Sequence, residues 1–141
     1  MNNEQYYPDD FFSYELVERI MKEFVWPKPY ELIDEDLSVE IKFPKCIIEI
    51  SSNGLGDTEV SFLTYNGNKE LNVNISDILW TRNLKASDLD LEDSNNVWPN
   101  LEDTKKSIRN SLKILQGYFL PFIKGEDYTW VDAAKKEKKS E

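Results

Sequence analysis

The sequence LEDTKKSIRNSLKILQGYFLPFI, residues 101–123, decides the fold of this chain. Its apolar residues recur in steps of three and four, with Thr104 or Lys105 filling the one gap. Such spacing predicts a long α-helix with one wide apolar face that must be buried, and Leu120-Pro121 ends it. We expect the β-sheet predicted by the middle of the chain to cover that face. The recurring positions are Leu101, Ile108, Leu112, Leu115, Phe119 and Phe122.

Four segments between residues 37 and 75 are predicted β-strands: the first and the last alternate apolar with polar residues, and the third is rich in β-forming residues with both faces mixed. Turn residues, including Asn66-Gly67-Asn68, separate them and keep the connections short. Successive strands with short turns predict an antiparallel meander, and its apolar face is left for helices to cover. The predicted strands are Leu37–Phe43, Cys46–Ser51, Glu59–Tyr65 and Glu70–Ile75.

An amphipathic helix is predicted before the strands, because apolar residues recur at steps of four from Phe12 to Phe24. Asp9 or Asp10 can cap this helix, since a carboxylate accepts hydrogen bonds from the free N–H groups at a helix start. Pro27 ends it, because the residue before a proline is disfavoured in the α region.

The fold class predicted from these elements is α+β. An antiparallel meander of about four strands is packed by the N-terminal helix and by the long C-terminal helix. Residues 1–132 form one domain, and residues 133–141, AAKKEKKSE, form a charged, flexible tail. Residues 76–86 fit a short helix, capped by Ser76 or Asp77, and an extended segment nearly equally.

The chain is strongly acidic, with 27 aspartates and glutamates, 17 lysines and arginines and a net charge of −10. The tail holds four lysines and two glutamates, or +2, so residues 1–132 carry −12. A body this acidic repels phosphate, which argues against nucleic acid as a partner, and it suits a basic protein whose approach it would steer. The simpler alternative is that the charge only keeps the protein in solution.

Catalytic and metal-binding residue types are scarce, since the chain has no histidine and one cysteine, Cys46. Neither a catalytic triad nor a cysteine zinc site can be assembled, and no cofactor motif is present. The apolar run around Cys46 predicts a core position for it. We expect a protein that is not an enzyme and holds no cofactor. An enzyme that uses carboxylates alone is the remaining alternative, and it would need two of them converging in a pocket.

The N-terminal sequence MNNEQYYPDD has neither the basic nor the apolar region of a signal peptide. No window approaches the ~20 apolar residues of a membrane span. A single cysteine excludes an internal disulfide, which fits a reducing compartment. We therefore expect a cytoplasmic protein without a membrane partner.

Two acidic clusters are the candidate contacts for a basic partner. The first is Asp34-Glu35-Asp36, and the second lies in DLDLEDSNN, residues 88–96. The second resembles the opening of a calcium-binding loop, but Asp93 stands where that loop needs glycine and Pro99 stands where it needs glutamate. No metal site is therefore expected. The predicted partner-binding acids are Asp34, Glu35, Asp36, Asp88, Asp90, Glu92 and Asp93.

Aromatic residues interleave with these acids and provide candidate anchors for a protein interface. We expect Trp80 to lie in the core. Trp98 and Trp130 lie in polar stretches, which favours exposure, although either can fold back over the long helix. The predicted mechanism is electrostatic attraction by the acidic clusters, with Trp98 slowing dissociation once the partner is bound.

In overall plan the chain resembles the immunity proteins of bacterial polymorphic toxin systems, which are small, acidic, single-domain α+β proteins without a catalytic motif. The likeness lies in the strand run 37–75 and in the closing segment KILQGYFLPFIKGEDYTW, residues 113–130. It implies one-to-one binding that occludes a toxin's active site, with acidic side chains mimicking the phosphates of a nuclease substrate. It assigns no binding residues.

A secretion chaperone or adaptor is the alternative function, because that class is also often small, acidic and α+β. Such proteins usually act as dimers and hold an extended client on an apolar surface. An apolar helix face left exposed after the core is filled would distinguish the chaperone from the inhibitor. The sequence leaves monomer and homodimer both open.

Overall fold

The computed structural model describes residues 11–52, 57–66, 69–85, 88–92 and 101–131. These residues form an α+β fold in which helices pack on a five-stranded antiparallel sheet, as predicted. The helices are α1 (Tyr14–Met21), α2 (Ile75–Thr81), α3 (Leu101–Tyr118) and α4 (Leu120–Ile123). The strands are β1 (Glu31–Asp34), β2 (Ser38–Lys42), β3 (Cys46–Ser52), β4 (Thr58–Tyr65) and β5 (Lys69–Asn74).

The sheet is a meander whose spatial order, β1-β2-β3-β4-β5, is the order of the chain. Four of its strands are the predicted ones, and the fifth, β1, was not predicted. It pairs with β2 from Glu31 opposite Lys42 to Asp34 opposite Val39. The sequence of β1, ELID, is too short to show a clear alternation, so its pairing with β2 is what identifies it.

The pairing of β4 with β5 is irregular. The register shifts between Phe62 and Thr64, and Asn72 in β5 has a φ of 54°, in the left-handed region that asparagine tolerates better than most residues. The outermost strand on this side of the sheet is therefore bent rather than flat.

One face of the sheet carries the core. Val39, Ile48 and Phe62 are fully buried on the face that α1 and α3 cover. The apolar stripe of α3 packs there as predicted, and Thr104 fills its gap with 1% of its surface exposed. Leu101 is the exception, because it is 42% exposed in the first turn of the helix. Burying each large apolar side chain stabilises the fold by roughly 1.5–3 kcal/mol, so this face is its main source of stability.

Helix α1 begins later than predicted, at Tyr14. Its N-cap is Ser13, whose hydroxyl accepts a hydrogen bond from the Leu16 N–H at 3.1 Å. The aspartates predicted to cap the helix lie outside the described residues. The helix ends at Met21, several residues before the proline predicted to stop it, and the Trp26 indole N–H donates to the Met21 carbonyl at 3.0 Å. That bond satisfies a carbonyl at the helix C-terminus.

The long C-terminal helix is divided into α3 and α4 at Phe119, two residues before Pro121. Pro121 has no N–H and cannot continue the hydrogen bonds of α3, whereas the first turn of a new helix accommodates proline well. Phe119 and Phe122 both stay in the core, with 2% and 1% of their surfaces exposed.

Trp130 folds back into the core, which is one of the two alternatives that the sequence left open. Its ring centroid lies 5.1 Å from that of Phe62, 5.8 Å from that of Phe119 and 4.6 Å from that of Phe122. Three phenylalanines, from β4, from the α3–α4 break and from α4, therefore surround the indole. The polarity of the flanking sequence did not indicate this position.

Candidate functional site

Acidic side chains concentrate at one end of the sheet. In this meander the β1–β2 connection, the end of β3, the start of β4 and the end of β5 all lie at the same end of the sheet, because successive strands are antiparallel. Helix α2 follows β5 directly and so begins at this end. We call it the acidic end and define it by six exposed residues: Asp34, Glu35, Asp36, Asp57, Glu59 and Asp77.

The opposite end of the sheet carries lysines as well as acids. Lys45 lies in the β2–β3 connection, Lys69 begins β5, and Lys42 stands opposite Glu31. The charge of the described surface is therefore uneven along the strands. Lysines of the sheet balance its carboxylates at the opposite end and do so least at the acidic end.

The β1–β2 turn at the acidic end is ordered by its own hydrogen bonds. The Asp36 N–H donates to Asp34 Oδ1 at 3.0 Å, and the Glu35 N–H donates to the Ser38 carbonyl at 2.9 Å. Asp36 has a φ of 75°, a conformation that aspartate adopts more readily than most residues. Three predicted partner-binding acids therefore lie on a turn whose backbone conformation is fixed by hydrogen bonds.

Helix α2 exposes 87% of the surface of Trp80, so the prediction that this residue lies in the core is wrong. The helix is one of the two alternatives left open, and its cap is Asn74, whose side chain accepts a hydrogen bond from the Ser76 N–H at 2.8 Å. Ile75 and Ile78 are buried. Trp80 lies two positions after Ile78, about 200° around the helix, and so points away from the buried side.

The second predicted cluster lies against α3, and its Glu92 is engaged within the protein. Arg109 of α3 donates to Glu92 Oε2 at 2.8 Å and to the two carboxylate oxygens of Glu23 at 2.7 and 3.1 Å. These hydrogen bonds raise the pKa of Arg109, and the bond from Arg109 lowers the pKa of Glu23. Glu92 therefore joins its segment to α3 and, through Arg109, to the residues after α1.

Further contacts hold residues 88–92 along the helix. The Asn110 side chain accepts from the Glu92 N–H and donates to the Glu92 carbonyl, both at 2.8 Å. The Lys113 ammonium donates to the Asp90 carbonyl at 2.6 Å. These bonds use the backbone of the segment and leave the side chains of Asp88 and Asp90 exposed.

The same contact continues toward the C-terminal end of α3. Leu89 packs on Gly117 so closely that a Cβ added to the glycine would lie 2.7 Å from Leu89 Cδ2. The Tyr118 hydroxyl donates to the Lys85 carbonyl at 2.7 Å. The chain therefore follows α3 on both sides of residues 86 and 87, which are outside the described part.

The predicted site residues differ in exposure and in their place in the structure. Five of them are exposed, namely Asp34, Glu35, Asp36, Asp88 and Asp90, and Glu92 is half-buried. Asp93 and Trp98 lie outside the described residues, as does the tail 133–141. The structure places the first cluster on the sheet and residues 88–92 of the second cluster against α3, so these described acids lie on different parts of the fold. Sequence reasoning missed Trp80, whose helical position relative to Ile78 is the signal that indicates exposure.

Cys46 lies in the core as predicted, with 1% of its surface exposed. Burial raises the pKa of its thiol to about 12, so it stays protonated and is a poor nucleophile at neutral pH. Within the described part of the chain, no three side chains of the metal-binding types come together. Of the helices seen there, none has both the length and the hydropathy that crossing a bilayer requires.

Comparisons of the chain with protein-family models, with curated proteins and with solved structures gave no match. We therefore infer function from the chemistry of the surface alone.

Proposed function

We propose that this chain is a small cytoplasmic protein that binds a basic protein partner one-to-one and inhibits it, in the manner of an immunity protein or antitoxin. The observation that carries the proposal is the acidic end, where six exposed carboxylates lie at one end of the sheet. Such a surface accelerates the approach of a basic partner and repels nucleic acid. Inhibition would follow from covering the partner's active site, without a catalytic step by this chain.

The order of the β1–β2 turn supports this proposal. Because Asp34, Glu35 and Asp36 are held on a hydrogen-bonded turn before a partner arrives, little conformational entropy is lost when the partner binds. Exposed carboxylates on such a turn chiefly raise the association rate, and the gain falls as salt screens the charges.

The packing of the helices disfavours the chaperone alternative. The apolar residues of α1 and most of those of α3 are used in the core. The large apolar side chains that the described surface exposes belong to four different segments of the chain. A protein that holds an extended client needs a contiguous apolar patch. The exposed residues are Val25, Leu37, Trp80 and Leu101.

The first experiment is capture of partners from the native cell by the immobilised full-length chain, at low and at high salt, with mass spectrometry of the retained proteins. One basic protein that is retained at low salt and lost at high salt supports the proposal. That protein is then purified, and its activity is measured with increasing amounts of the chain. No retained protein at either salt, or a retained protein whose activity is unaffected, would refute inhibition.

A pair of charge-matched variants tests the acidic end itself. The first combines Asp34→Asn, Glu35→Gln and Asp36→Asn, and the amide introduced at position 34 keeps an oxygen that can accept the turn's hydrogen bond. The second removes three charges at the opposite end, by Glu31→Gln, Glu70→Gln and Glu126→Gln. We expect the first variant to lower the association rate by about tenfold at low salt and the second to lower it much less. Equal losses would show that only the net charge matters.

A further inference from the structure

Trp80 and Asp77 occupy neighbouring positions on the exposed side of α2. We propose that they form a receptor for an arginine side chain of the basic partner, with the guanidinium stacked on the indole and paired with the Asp77 carboxylate. This inference rests on the proposed function and deepens it, because it names the anchor residue and the chemical group that the anchor binds.

The exposure of Trp80 is not required by the packing of α2. Ile75 and Ile78 already attach the helix to the sheet, with 6% and 3% of their surfaces exposed, and the indole is 87% exposed. Single exposed leucines or valines are ordinary on protein surfaces. Tryptophan, in contrast, is enriched among the few residues that dominate binding energy, because its large rigid surface is removed from water when a partner covers it. Trp80 is therefore the strongest anchor candidate on the described surface.

Asp77 makes this position selective for a cation. Positions i and i+3 lie on the same side of a helix, so the Asp77 carboxylate and the Trp80 indole are neighbours. Asp77 is exposed and is not the cap of the helix, since Asn74 has that role. A guanidinium is planar and weakly hydrated and stacks on an aromatic face while it pairs with a carboxylate, whereas a lysine ammonium is a compact, strongly hydrated charge. The pair therefore fits arginine better than lysine.

Two exposed cations of the protein itself, Arg82 and Lys85, follow α2. Arg82 is exposed and would repel an incoming guanidinium if its charge were unbalanced. Hydrogen bonds from Thr129 lower the pKa of Asp127, and the positive charge of Arg82 lowers it further. Asp127 therefore offsets part of the charge of Arg82, and Asp77 supplies a carboxylate on α2 itself.

The test titrates the full-length chain with a hexa-arginine peptide and with a hexa-lysine peptide by isothermal calorimetry, at low and at high salt. The variants are Trp80→Ala, Trp80→Phe and Asp77→Asn. Val25→Ala is the control for an exposed apolar residue, since Val25 is 86% exposed. Glu70→Gln is the control for a lost negative charge, at the other end of the sheet. Circular dichroism verifies that every variant keeps the wild-type spectrum and thermal midpoint.

We expect Trp80→Ala to weaken hexa-arginine binding about fivefold with little change in its salt dependence, and Trp80→Phe to weaken it less. Asp77→Asn should weaken binding and flatten the salt dependence, and hexa-lysine should bind more weakly than hexa-arginine. Wild-type binding by Trp80→Ala, equal losses in the two controls, or no binding of hexa-arginine at low salt would each overturn the inference. The proposed function is judged separately, by capture of a basic protein, so either can fail alone.

Discussion

Replacing Arg109 with methionine removes the guanidinium that joins three parts of the protein and keeps most of the length of the side chain. In the native chain Arg109 donates two hydrogen bonds to Glu23 and one to Glu92. The side chains of Arg109, Glu23 and Glu92 are 26%, 43% and 33% exposed, so these ion pairs are neither fully solvated nor deeply buried. The change should loosen residues 88–92 and destabilise the whole fold.

The expected loss of stability follows from that intermediate exposure. A fully exposed ion pair contributes about 0–1 kcal/mol, and a more buried hydrogen bond to a charged group contributes about 1.5–3 kcal/mol. With solvent screening taken into account, we expect Arg109→Met to lower the free energy of unfolding by about 1.5 kcal/mol. The entropy of unfolding at roughly 2 cal/mol/K per residue gives about 0.3 kcal/mol/K for this chain, so the thermal midpoint should fall by about 5 °C.

The assay is thermal and urea unfolding followed by circular dichroism, with Lys105→Met as the control. Lys105 also pairs with a glutamate, Glu102, at 3.3 Å, but Glu102 is 70% exposed, and the expected loss is under about 0.5 kcal/mol. The Arg109 effect should also depend on pH. The folded protein lowers the pKa of Glu23 from its ordinary 4.5, so its contribution is present above that pH and is lost as the pH falls through the folded value. Equal losses in both variants, or an effect of Arg109→Met that persists undiminished at strongly acidic pH, would refute this reasoning.

Two further predictions concern the core. Cys46 should resist thiol reagents in the native state and react with them on unfolding. Because folding raises the pKa of its thiol from 9.0 to about 12, the free energy of unfolding should fall between those pH values, by at most about 1.4 kcal/mol per pH unit. In urea titrations the Cys46→Ala variant should lose that part of the alkaline decline in stability. Phe62→Ala should lower the free energy of unfolding by about 3–5 kcal/mol, since Phe62 is fully buried against Phe119, Phe122 and Trp130. Leu63 is half-buried on the opposite side of the same strand, so Leu63→Ala should lower it far less in the same assay.

The elements that could be predicted from the sequence are those with a strong local period. The steps of three and four in α3 and the alternation in β2 and β5 report which side of each element is buried, so the class of the fold is confirmed. Strand β1 carries no such period and exists because β2 offers it a partner. Long-range pairing of this kind is not encoded in any short window of residues.

The tryptophans show why side-chain positions were harder to predict. Trp80 follows apolar residues yet is exposed, because the helical turn carries it to the side opposite Ile78. Trp130 follows polar residues yet is buried, because Phe62 and its neighbours surround it. Likewise Glu92 belongs to an acidic run, but Arg109, far along the chain, engages its carboxylate. In each case the position of the side chain is set by helix geometry or by a residue distant in sequence, and the polarity of the neighbouring residues does not report either.

The irregular outer strand β5 bears on how the protein behaves when it is abundant. A flat, regular sheet border offers unpaired N–H and C=O groups to which a strand of another molecule can add, and this is a common route to aggregation. The left-handed Asn72 and the register shift bend this border, and Lys69 and Glu70 add exposed charges to it. Under the proposed function, the chain must be made in at least the amount of its target. The bend and the exposed charges on this side of the sheet disfavour the addition of a strand from another molecule at high concentration.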